Sequence, residues 1–308
     1  MDGERFMQHI IMTGATGAIG MALIQKCIQE QVRVTVICHR GSKRRAILPV
    51  HPLVQVIDAD LAELKNFDIT QIVSEDESCD TFYHLGWEGT YGASRNDMNQ
   101  QVKNIQYTLD AVELAKRTGC RTFVGTGSQA EYGRVEGVLR SDTPAFPENG
   151  YGMAKLCAGQ MSREKCKELK IKHIWTRILS VYGPYDQDYT LIMSTINRML
   201  HNEPVKVTRA EQIWDYLYSG DAAEMLYRLS DKGIDGNVYC LGSGHARPLK
   251  EYIEVMRQVT KTSVIPEYGA IPYGPGQVMH LEADISSIIH DIQFTPAMKF
   301  QDGIKRMI

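Results

Sequence analysis

The 308-residue sequence lacks three features that mark whole classes of protein. Its longest apolar runs are the size of strands, well short of the roughly 20 residues that a membrane-spanning helix needs. Its 34 basic residues are outnumbered by 37 acidic ones, so no overall positive field attracts nucleic acid or anionic lipid. Its seven cysteines are scattered and include no C-x-x-C pair. We therefore expect small-molecule ligands, with no membrane, no nucleic acid and no metal.

Signals for export are scarce as well. The first residues, MDGERFMQH, mix acids with a single arginine and run directly into an apolar segment, without the basic and separate apolar regions of a secretory leader. An odd number of dispersed cysteines is typical of reduced thiols that fill a core. Both features predict a cytoplasmic protein.

Through its first 180 residues the sequence alternates short apolar runs with helical patterns. The runs are apolar at consecutive positions, which is typical of strands covered on both faces. The segments between them have the length and the 3.6-residue periodicity of crossover helices. This alternation predicts an α/β fold with a Rossmann-type, doubly wound parallel sheet, whose ligands bind at the carboxyl ends of the strands. The predicted strands are residues 9–13, 32–38, 54–57, 81–85, 121–126 and 173–179.

The second part of the sequence is richer in loops. Segments such as GSGHARP and IPYGPGQ are punctuated by glycine and proline and separate shorter helical patterns. A compact unit over the carboxyl edge of the sheet is an economical place to recognise a substrate. We expect an NAD(P)-binding domain over residues 1–178 and a smaller, loop-rich substrate-binding domain over residues 179–308, interleaved with the first.

A glycine-rich turn follows the first predicted strand. In HIIMTGATGAIG, Gly14 permits a tight turn, Gly17 lets backbone N–H groups approach a phosphate, and Gly20 allows close packing of the helix. Its position between a strand and a helix indicates dinucleotide binding. A triphosphate-binding P-loop is excluded, because Ile19 stands where its second glycine would be. The predicted cradle consists of Gly14, Thr16, Gly17, Ala18, Ile19 and Gly20.

No acidic residue occurs from Gln31 to Ile57, the stretch in which NAD-binding folds place a carboxylate for the ribose 2′-hydroxyl. The second predicted strand ends instead in CHRGSKRR. Guanidinium groups pair with phosphate and a carboxylate would repel it, so this local charge favours the 2′-phosphate of NADP. We expect NADP in preference to NAD, which stays open, with contacts from His39, Arg40, Ser42 and Arg44.

Further cofactor contacts are expected at the same edge of the sheet. Asp60 and Leu61 follow the third predicted strand and would flank the adenine. Leu85 and Gly86 end the fourth and would flank the phosphates. The predicted cofactor site is completed, near the ends of the fifth and sixth strands, by Thr126 and Ile178.

Tyr151 and Lys155 are the candidates for proton transfer. Their four-residue spacing in NGYGMAKLC stacks them on one face at the start of a helix. A phenol has an ordinary pKa of about 10, and a nearby ammonium favours its ionised form, which suits it to exchange a proton with a carbonyl or an alcohol. Ser128 follows the fifth predicted strand, where its hydroxyl could hydrogen-bond the same substrate oxygen. These three residues form the predicted catalytic set.

Five motifs, in order, resemble those of the extended short-chain dehydrogenase/reductase family, in its nucleotide-sugar epimerase, dehydratase and reductase branch. They are GATGAIG, GSQAEYG, YGMAK, RILSVYGP and IWDYLYSGDAA. The resemblance implies that Tyr151 is the acid–base residue, that Lys155 holds the nicotinamide ribose, and that Ser128 binds the reacting oxygen. It also implies a homodimer formed through two helices of each subunit, here Gln100 to Arg117 and Tyr151 to Leu169.

This chain departs from the family pattern at several positions. Members that remove water carry an Asp-Glu pair after the hydroxyl residue, where this chain has Gln129 and Ala130, so we do not expect a 4,6-dehydratase. Ser180 replaces a frequent asparagine. Trp214 and Gly274 stand in place of two arginines that bind the substrate pyrophosphate.

A nucleotide-sugar substrate would therefore be held by other side chains. Arginines that remain nearby could bind its phosphates, and aromatic rings could stack on its base or sugar. The predicted substrate-binding residues are Trp87, Tyr91, Ser128, Ser180, Arg209, Trp214 and Arg247.

The sequence supports three hypotheses for function. The first is NADPH-dependent reduction of a nucleotide-activated 4-keto-6-deoxy sugar, with Tyr151 as proton donor; the basic cluster favours it, because a redox-neutral epimerase has no need of a reduced cofactor pool. The second is an NAD(P)-dependent nucleotide-sugar 4-epimerase. The third is a non-catalytic NADP-sensing regulator, which would not need Ser128, Tyr151 and Lys155.

Overall fold

The structure is a computed structural model that describes residues 7–308; the first six residues, part of the N-terminal segment considered for export signals, lie outside the described residues. The strands are β1 (His9–Thr13), β2 (Arg33–Cys38), β3 (Val54–Asp58), β4 (Thr81–His84), β5 (Thr122–Ser128), β6 (Lys172–Ile178), β7 (Ser180–Tyr182), β8 (Lys206–Val207), β9 (Ile213–Trp214), β10 (Tyr216–Tyr218), β11 (Val238–Leu241), β12 (Arg247–Pro248), β13 (Glu267–Tyr268) and β14 (His280–Leu281). The helices are α1 (Ala18–Gln29), α2 (Met98–Arg117), α3 (Gly150–Leu169), α4 (Leu191–Leu200), α5 (Ser219–Lys232), α6 (Leu249–Thr260), α7 (Ser286–Ile292) and α8 (Phe300–Lys305).

Seven of these strands form one parallel sheet in the order β11-β6-β5-β4-β1-β2-β3. The chain runs outward from β1 to β3 and then returns to the other side of β1, so β1 and β4 are neighbours at the point where the strand order reverses. Ligands of such sheets bind beyond the carboxyl ends of the strands at this point. The predicted Rossmann-type fold is confirmed.

Two apolar clusters cover the two faces of the sheet. Successive side chains of a strand point to opposite faces, so Ile10 and Met12 of β1 join the cluster that contains residues of α1 and α5. Ile11, between them, joins the cluster that contains residues of α2. Because both faces are covered, β1 is buried along its whole length, which explains why the strand sequences are apolar at consecutive positions.

The sheet also takes elements from beyond residue 178. Strand β11 pairs in parallel with β6, and α5 packs against α1. The ranges 1–178 and 179–308 are thus interleaved in space, and their division into two domains stays a prediction. A third apolar cluster, which includes Tyr182, Ile196, Tyr252 and Phe300, forms the core of the remaining C-terminal part.

Local hydrogen bonds set the boundaries that the apolar pattern misses. Helix α2 begins two residues before Gln100, because the Asp97 carboxylate accepts a hydrogen bond from the Gln100 N–H at 3.1 Å. Helix α3 begins at Gly150, and Asn149 caps it by accepting from the Gly152 N–H at 2.9 Å. Within residues 7–308, no helix combines the length and the apolar character needed to cross a bilayer.

Candidate active site

The turn between β1 and α1 is shaped by close packing at two glycines. Gly14 has a positive φ of 71°, and a Cβ there would lie 2.5 Å from the backbone of Gly86. A Cβ at Gly20 would lie 2.6 Å from the backbone of Ala15. Gly17 differs, because nothing lies within 4 Å of its Cβ position. The turn is therefore fixed from behind and open at Gly17, as backbone N–H groups that bind a pyrophosphate require.

A cavity of about 230 Å³ adjoins this turn at the carboxyl ends of β1, β2 and β4. Its walls are mainly apolar, with a few polar groups, which suits an adenosine. The predicted residues that line it are Gly14, Thr16, His39, Ser42, Leu61, Gly86 and Trp87. The sequence analysis did not single out the others, which are Ala15, Val36, Ile37, Cys38, Ala59 and Glu88.

Two arginines beside this cavity are paired with carboxylates. Arg40 donates to both oxygens of Glu63, through Nε and Nη2, each at 3.1 Å. Arg45 donates from Nε to Asp58 at 2.7 Å. These hydrogen bonds hold the pKa of each carboxyl below its usual range. Because β3 lies beside β2 and places Asp58 opposite Cys38, the edge carries more negative charge than the acid-free stretch of sequence suggested.

Arg44 contacts a main-chain carbonyl instead of a carboxylate. One of its Nη atoms donates to the main-chain carbonyl of Tyr185, in the loop that follows β7, and so connects the basic cluster to the C-terminal half. Its Nε is buried and has no hydrogen-bond partner among the described residues. Arg44 therefore retains a donor for a further acceptor.

Asp60 has a structural role at this edge. Its Oδ1 accepts the Arg40 N–H at 2.9 Å, and its own N–H donates to Glu63 at 2.7 Å, which closes the turn after β3. His39 lies 3.6 Å from the same carboxylate. Asp60 thus holds the predicted phosphate-binding segment in place, while Leu61 provides the wall of the cavity.

Ser128, Tyr151 and Lys155 meet at the carboxyl end of β5. Ser128 is the last residue of that strand, and the other two lie in the first turns of α3. The Ser128 side chain lies close enough to Tyr151 to lower the pKa of its phenol. The Lys155 ammonium donates to the main-chain carbonyl of Thr126 at 2.5 Å and lies 5.9 Å from the centre of the Tyr151 ring. The structure thus brings the predicted catalytic residues together.

Burial dominates the electrostatics of Tyr151 and raises the pKa of its phenol. The Ser128 side chain and the positive charge of Arg95 act in the opposite direction. The Arg95 guanidinium carbon lies 4.3 Å from the centre of the Tyr151 ring. Sequence reasoning missed Arg95, since nothing in the loop segment GASRND marks a site. The structure thus adds a cation to the lysine that the sequence predicts beside this phenol.

Lys155 is only 3% exposed. Its ammonium sits 3.8 Å from the centre of the Trp87 ring, and the Trp87 indole N–H donates to Gln101 at 2.9 Å. Burial lowers the pKa of Lys155 to about 7, and the negative charge of Glu131 opposes this shift. An ammonium held over an aromatic face is thus poised to change its charge near neutral pH.

Thr126 and Ile178, two further residues predicted to bind the cofactor, also lie at this edge of the sheet. The Thr126 hydroxyl donates to the main-chain carbonyl of His84 at 3.1 Å, so it turns back toward β4 and only the main chain of Thr126 reaches Lys155. Ile178 ends β6, opposite Leu241 of β11, and is half-buried.

The substrate candidates fall into separate places. The Trp214 indole N–H donates to the Ser180 hydroxyl at 2.8 Å, so two departures from the family pattern contact each other. The ring of Tyr91 lies 4.1 Å from that of Tyr189, in the loop after β7. Arg247 lies over the Tyr252 ring and lines a different cavity from Trp87. Arg209 is exposed and lies 3.5 Å from Glu211. The described cavities do not gather these side chains into one site.

A model of the NAD dependent epimerase/dehydratase family matches residues 10–242, from β1 to the strand that completes the sheet. The chain belongs to the NAD dependent epimerase/dehydratase family. The predicted resemblance is therefore confirmed, and with it the prediction of an enzyme of this oxidoreductase and epimerase class.

Two relatives resemble this chain over most of its length. The CDP-abequose synthase of Salmonella muenchen is 24% identical over 306 residues, which cover 98% of this chain and 97% of the relative. The dTDP-6-deoxy-L-talose 4-dehydrogenase (NAD(+)) of Aggregatibacter actinomycetemcomitans is 21% identical over 273 residues, or 86% of this chain and 95% of the relative. Both are nucleotide-sugar proteins by name.

The fold is also that of a solved member. The UDP-glucuronic acid 4-epimerase of Bacillus cereus, in complex with UDP-glucuronic acid and NAD, superimposes with a TM-score of 0.83 over 97% of this chain and 98% of its own. At 23% identity this likeness concerns the fold alone.

Proposed function

We propose that the protein reduces the 4-keto group of a nucleotide-activated 4-keto-6-deoxy sugar with NADPH. The observation that carries this proposal is the grouping of Ser128, Tyr151 and Lys155 at the carboxyl end of β5, at the same sheet edge as the open glycine turn. A proton donor and a dinucleotide cradle at one edge are the two parts that carbonyl reduction needs.

The residues divide the reaction among them. A reduced dinucleotide, when bound at the glycine turn, would supply the hydride for the carbonyl carbon. Ser128 donates a hydrogen bond to the carbonyl oxygen, and Tyr151 delivers the proton that converts this oxygen into a hydroxyl. Lys155 binds the nicotinamide ribose and, while charged, favours the phenolate that Tyr151 leaves behind. The products are the alcohol and the oxidised dinucleotide, so protons and electrons balance.

The substrate class rests on the two residues after Ser128 and on one relative. Gln129 and Ala130 provide no carboxyl pair for the removal of water, which disfavours a dehydratase. The name of the relative from Aggregatibacter actinomycetemcomitans describes a 4-dehydrogenase of a dTDP-activated 6-deoxy sugar. In this proposal Trp214, which donates its indole N–H to Ser180, contacts the substrate nucleotide in place of a cation.

The preference for NADP over NAD is part of this proposal. The Arg44 Nε has no hydrogen-bond partner among the described residues, Arg44 lies two residues from Ser42 in the wall of the cavity, and a 2′-phosphate would satisfy that donor once the side chain turns toward the cavity. The carboxylates of Asp58 and Glu63 work against it. The preference for NADP or NAD therefore depends on whether Arg40 and Arg45 exchange these carboxylates for a 2′-phosphate.

A nucleotide-sugar 4-epimerase is the second candidate, and two observations favour it. Arg40 and Arg45 are already neutralised by carboxylates, which reduces the demand for a 2′-phosphate. The solved relative is a 4-epimerase in complex with NAD. In this reaction Tyr151 would first remove the proton from the C4 hydroxyl and later return it.

One experiment separates the two candidates. The purified protein is mixed with NADPH and, in turn, with CDP-, dTDP- and UDP-activated 4-keto-6-deoxyglucose, and with the corresponding 4-hydroxy sugars. Loss of NADPH in equal amount to a reduced sugar supports the reductase. Isomerisation of a 4-hydroxy sugar without net change of the cofactor overturns it in favour of the epimerase. Tyr151→Phe provides the inactive control.

We also propose that the protein is a cytoplasmic homodimer assembled through α2 and α3. Those helices pack against each other and leave apolar side chains in solvent, namely Met98, Val102, Met153 and Met161. Burying this patch against a second copy removes it from water. Light scattering of the wild type and of Val102→Glu tests the assembly: a dimer that the variant dissociates supports it, and a wild-type monomer overturns it.

A further inference from the structure

Glu131 is a fully buried carboxylate directly behind the candidate active site. It ends the short turn of residues 129–131 that follows β5, and it is 0% exposed. Burial by itself raises the pKa of this carboxyl, whereas Arg177 acts against the shift. A buried charge needs strong hydrogen bonds to persist, so its partners show what it is for.

Three donors converge on the Glu131 carboxylate. The main-chain N–H of Ser128 donates to Oε1 at 2.8 Å, and the Trp175 indole N–H donates to the same oxygen at 3.1 Å. Arg177 donates from Nε to Oε2 at 2.8 Å. In return, the Ser128 hydroxyl oxygen accepts the Ala130 N–H at 3.2 Å, which closes the turn from the other side. The carboxylate therefore fixes the backbone of the residue that lies beside Tyr151.

Glycines in β5 and α3 leave space for this carboxylate and for the indole that donates to it. A Cβ at Gly127 would overlap the Glu131 Oε1 and the indole nitrogen of Trp175. A Cβ at Gly125 or Gly159 would also lie within 2.6 Å of the Trp175 ring. Glycine fits at these positions because a side chain would overlap the Trp175 indole or the Glu131 carboxylate that accepts its hydrogen bond. In GTGS, Gly127 thus makes room for Glu131, and Gly125 makes room for the indole of Trp175 that donates to it.

We propose that Glu131 is a positioning residue of the active site, whose buried carboxylate fixes the main chain of Ser128 at the end of β5 and places a negative charge near Lys155. Its first action is to close the hydrogen-bonded turn after β5. Its second action is electrostatic: the negative charge of Glu131 raises the pKa of Lys155 and so opposes the effect of burial. The inference deepens the proposed function and rests on its assignment of Ser128 and Lys155.

Other charges near Lys155 do not replace this effect. Burial, followed by the charge of Lys155, lowers the pKa of His84 to about 3, so this imidazole is neutral across the working range. Arg95 acts on the ring of Tyr151 and would disfavour a second cation. The titratable and charged groups around the ammonium are Tyr151 on its own helix, His84 on β4, Glu131 after β5, Arg177 on β6 and Arg95 before α2.

The test titrates Lys155 itself and needs no substrate. Protein labelled with ¹³C at lysine Cε is followed by proton–carbon correlation across neutral pH, and Lys155→Met assigns the signal. In Glu131→Gln, the midpoint of Lys155 should fall by about one pH unit, as expected for the loss of a nearby opposite charge. The matched control is Arg177→Lys, which weakens the same buried pair but retains the carboxylate, and should leave the midpoint unchanged.

Two outcomes overturn the inference: an unchanged midpoint in Glu131→Gln, or an equal fall in both variants. If Glu131→Gln does not fold, the double variant Glu131→Leu/Arg177→Met replaces the buried pair with apolar groups, a change that folded proteins often tolerate. Its midpoint should also fall, by less because the positive charge of Arg177 is lost as well, and a midpoint that does not fall overturns the inference. A turnover assay is a second readout: at neutral pH kcat falls roughly tenfold and the KM for NADPH rises, because the ammonium that binds the nicotinamide ribose is partly lost. Because the titration uses the protein without substrate, failure of the proposed reaction leaves its result intact.

Discussion

The two ends of the candidate site are built in opposite ways. At the catalytic end the charged and polar groups are buried, with Lys155 only 3% exposed and Glu131 fully enclosed. At the other end, beside the cavity next to the glycine turn, the ion pairs of Arg40 and Arg45 lie at the surface. Buried partners hold one geometry because any loss leaves an unpaired group away from water, whereas exposed pairs exchange readily with solvent and salt. We therefore expect the first end to hold one fixed geometry for catalysis, and the preference for NADP or NAD to be easier to change at the second.

The largest effect should come from removing the phenol hydroxyl at the rigid end. Tyr151→Phe should lower turnover by roughly 10²- to 10⁴-fold, the usual contribution of a positioned proton donor. Binding of NADPH, followed by its fluorescence, should stay close to that of the wild type, since the glycine turn is untouched. Turnover within a few-fold of the wild type would show that this end does not carry the chemistry.

Acid should weaken the fold through histidines buried in the sheet. Burial is the main cause that lowers the pKa of His9, His84 and His173 to about 4, 3 and 4. In the unfolded chain these histidines are protonated below about pH 6.5, whereas in the folded chain they are protonated only near pH 4 or below. The free energy of unfolding therefore decreases as the pH is lowered through this window. We expect a loss of roughly 1 to 2 kcal/mol for each histidine between pH 7 and 5 in urea titrations.

A matched pair of variants assigns that loss. His173→Asn should reduce the fall between pH 7 and 5, because its ring no longer resists protonation. His201→Asn, at an exposed position, should leave the fall unchanged. Equal pH dependence in both variants would contradict the assignment.

Releasing an arginine should change the selectivity of the adjustable end. Glu63→Gln removes the carboxylate that Arg40 grips, and should tighten binding of NADPH relative to NADH by roughly fivefold, the scale of an exposed ion pair. The matched control is Glu77→Gln, because Glu77 pairs with Arg33 at the same 3.1 Å, at the other end of β2. Equal effects of the two variants in fluorescence titrations would show that the Arg40 pair has no part in selectivity.

The smallest effect is expected at Arg95. Its positive charge is one of the influences that oppose the raised pKa of Tyr151, so Arg95→Gln should raise that pKa further. Turnover at neutral pH should fall by about threefold, with the pH profile displaced toward higher pH. Arg95→Lys, which retains the charge, should restore most of the rate. An unchanged profile in Arg95→Gln would remove this cation from the account.

Sequence reasoning located the features that are local in the chain. The glycine turn, and the spacing of Tyr151 and Lys155, are each contained in a few residues and follow from one strand–helix junction. It failed where the partner is distant: Glu63 reaches Arg40 across 23 residues, and Arg95 reaches Tyr151 across 56 (151 minus 95). Strand β11 was missed for the same reason, since only its pairing with β6 shows that the sheet has a seventh member.

The most direct test of the central claim is a crystal structure of the protein with NADP⁺ and a nucleotide-activated 4-hydroxy sugar, obtained with Tyr151→Phe. The account predicts that C4 of the nicotinamide lies about 3.5 Å from C4 of the sugar, with the Ser128 hydroxyl hydrogen-bonded to the oxygen on that carbon. A nicotinamide that points away from position 151, or a sugar whose C4 oxygen contacts neither residue, would contradict it.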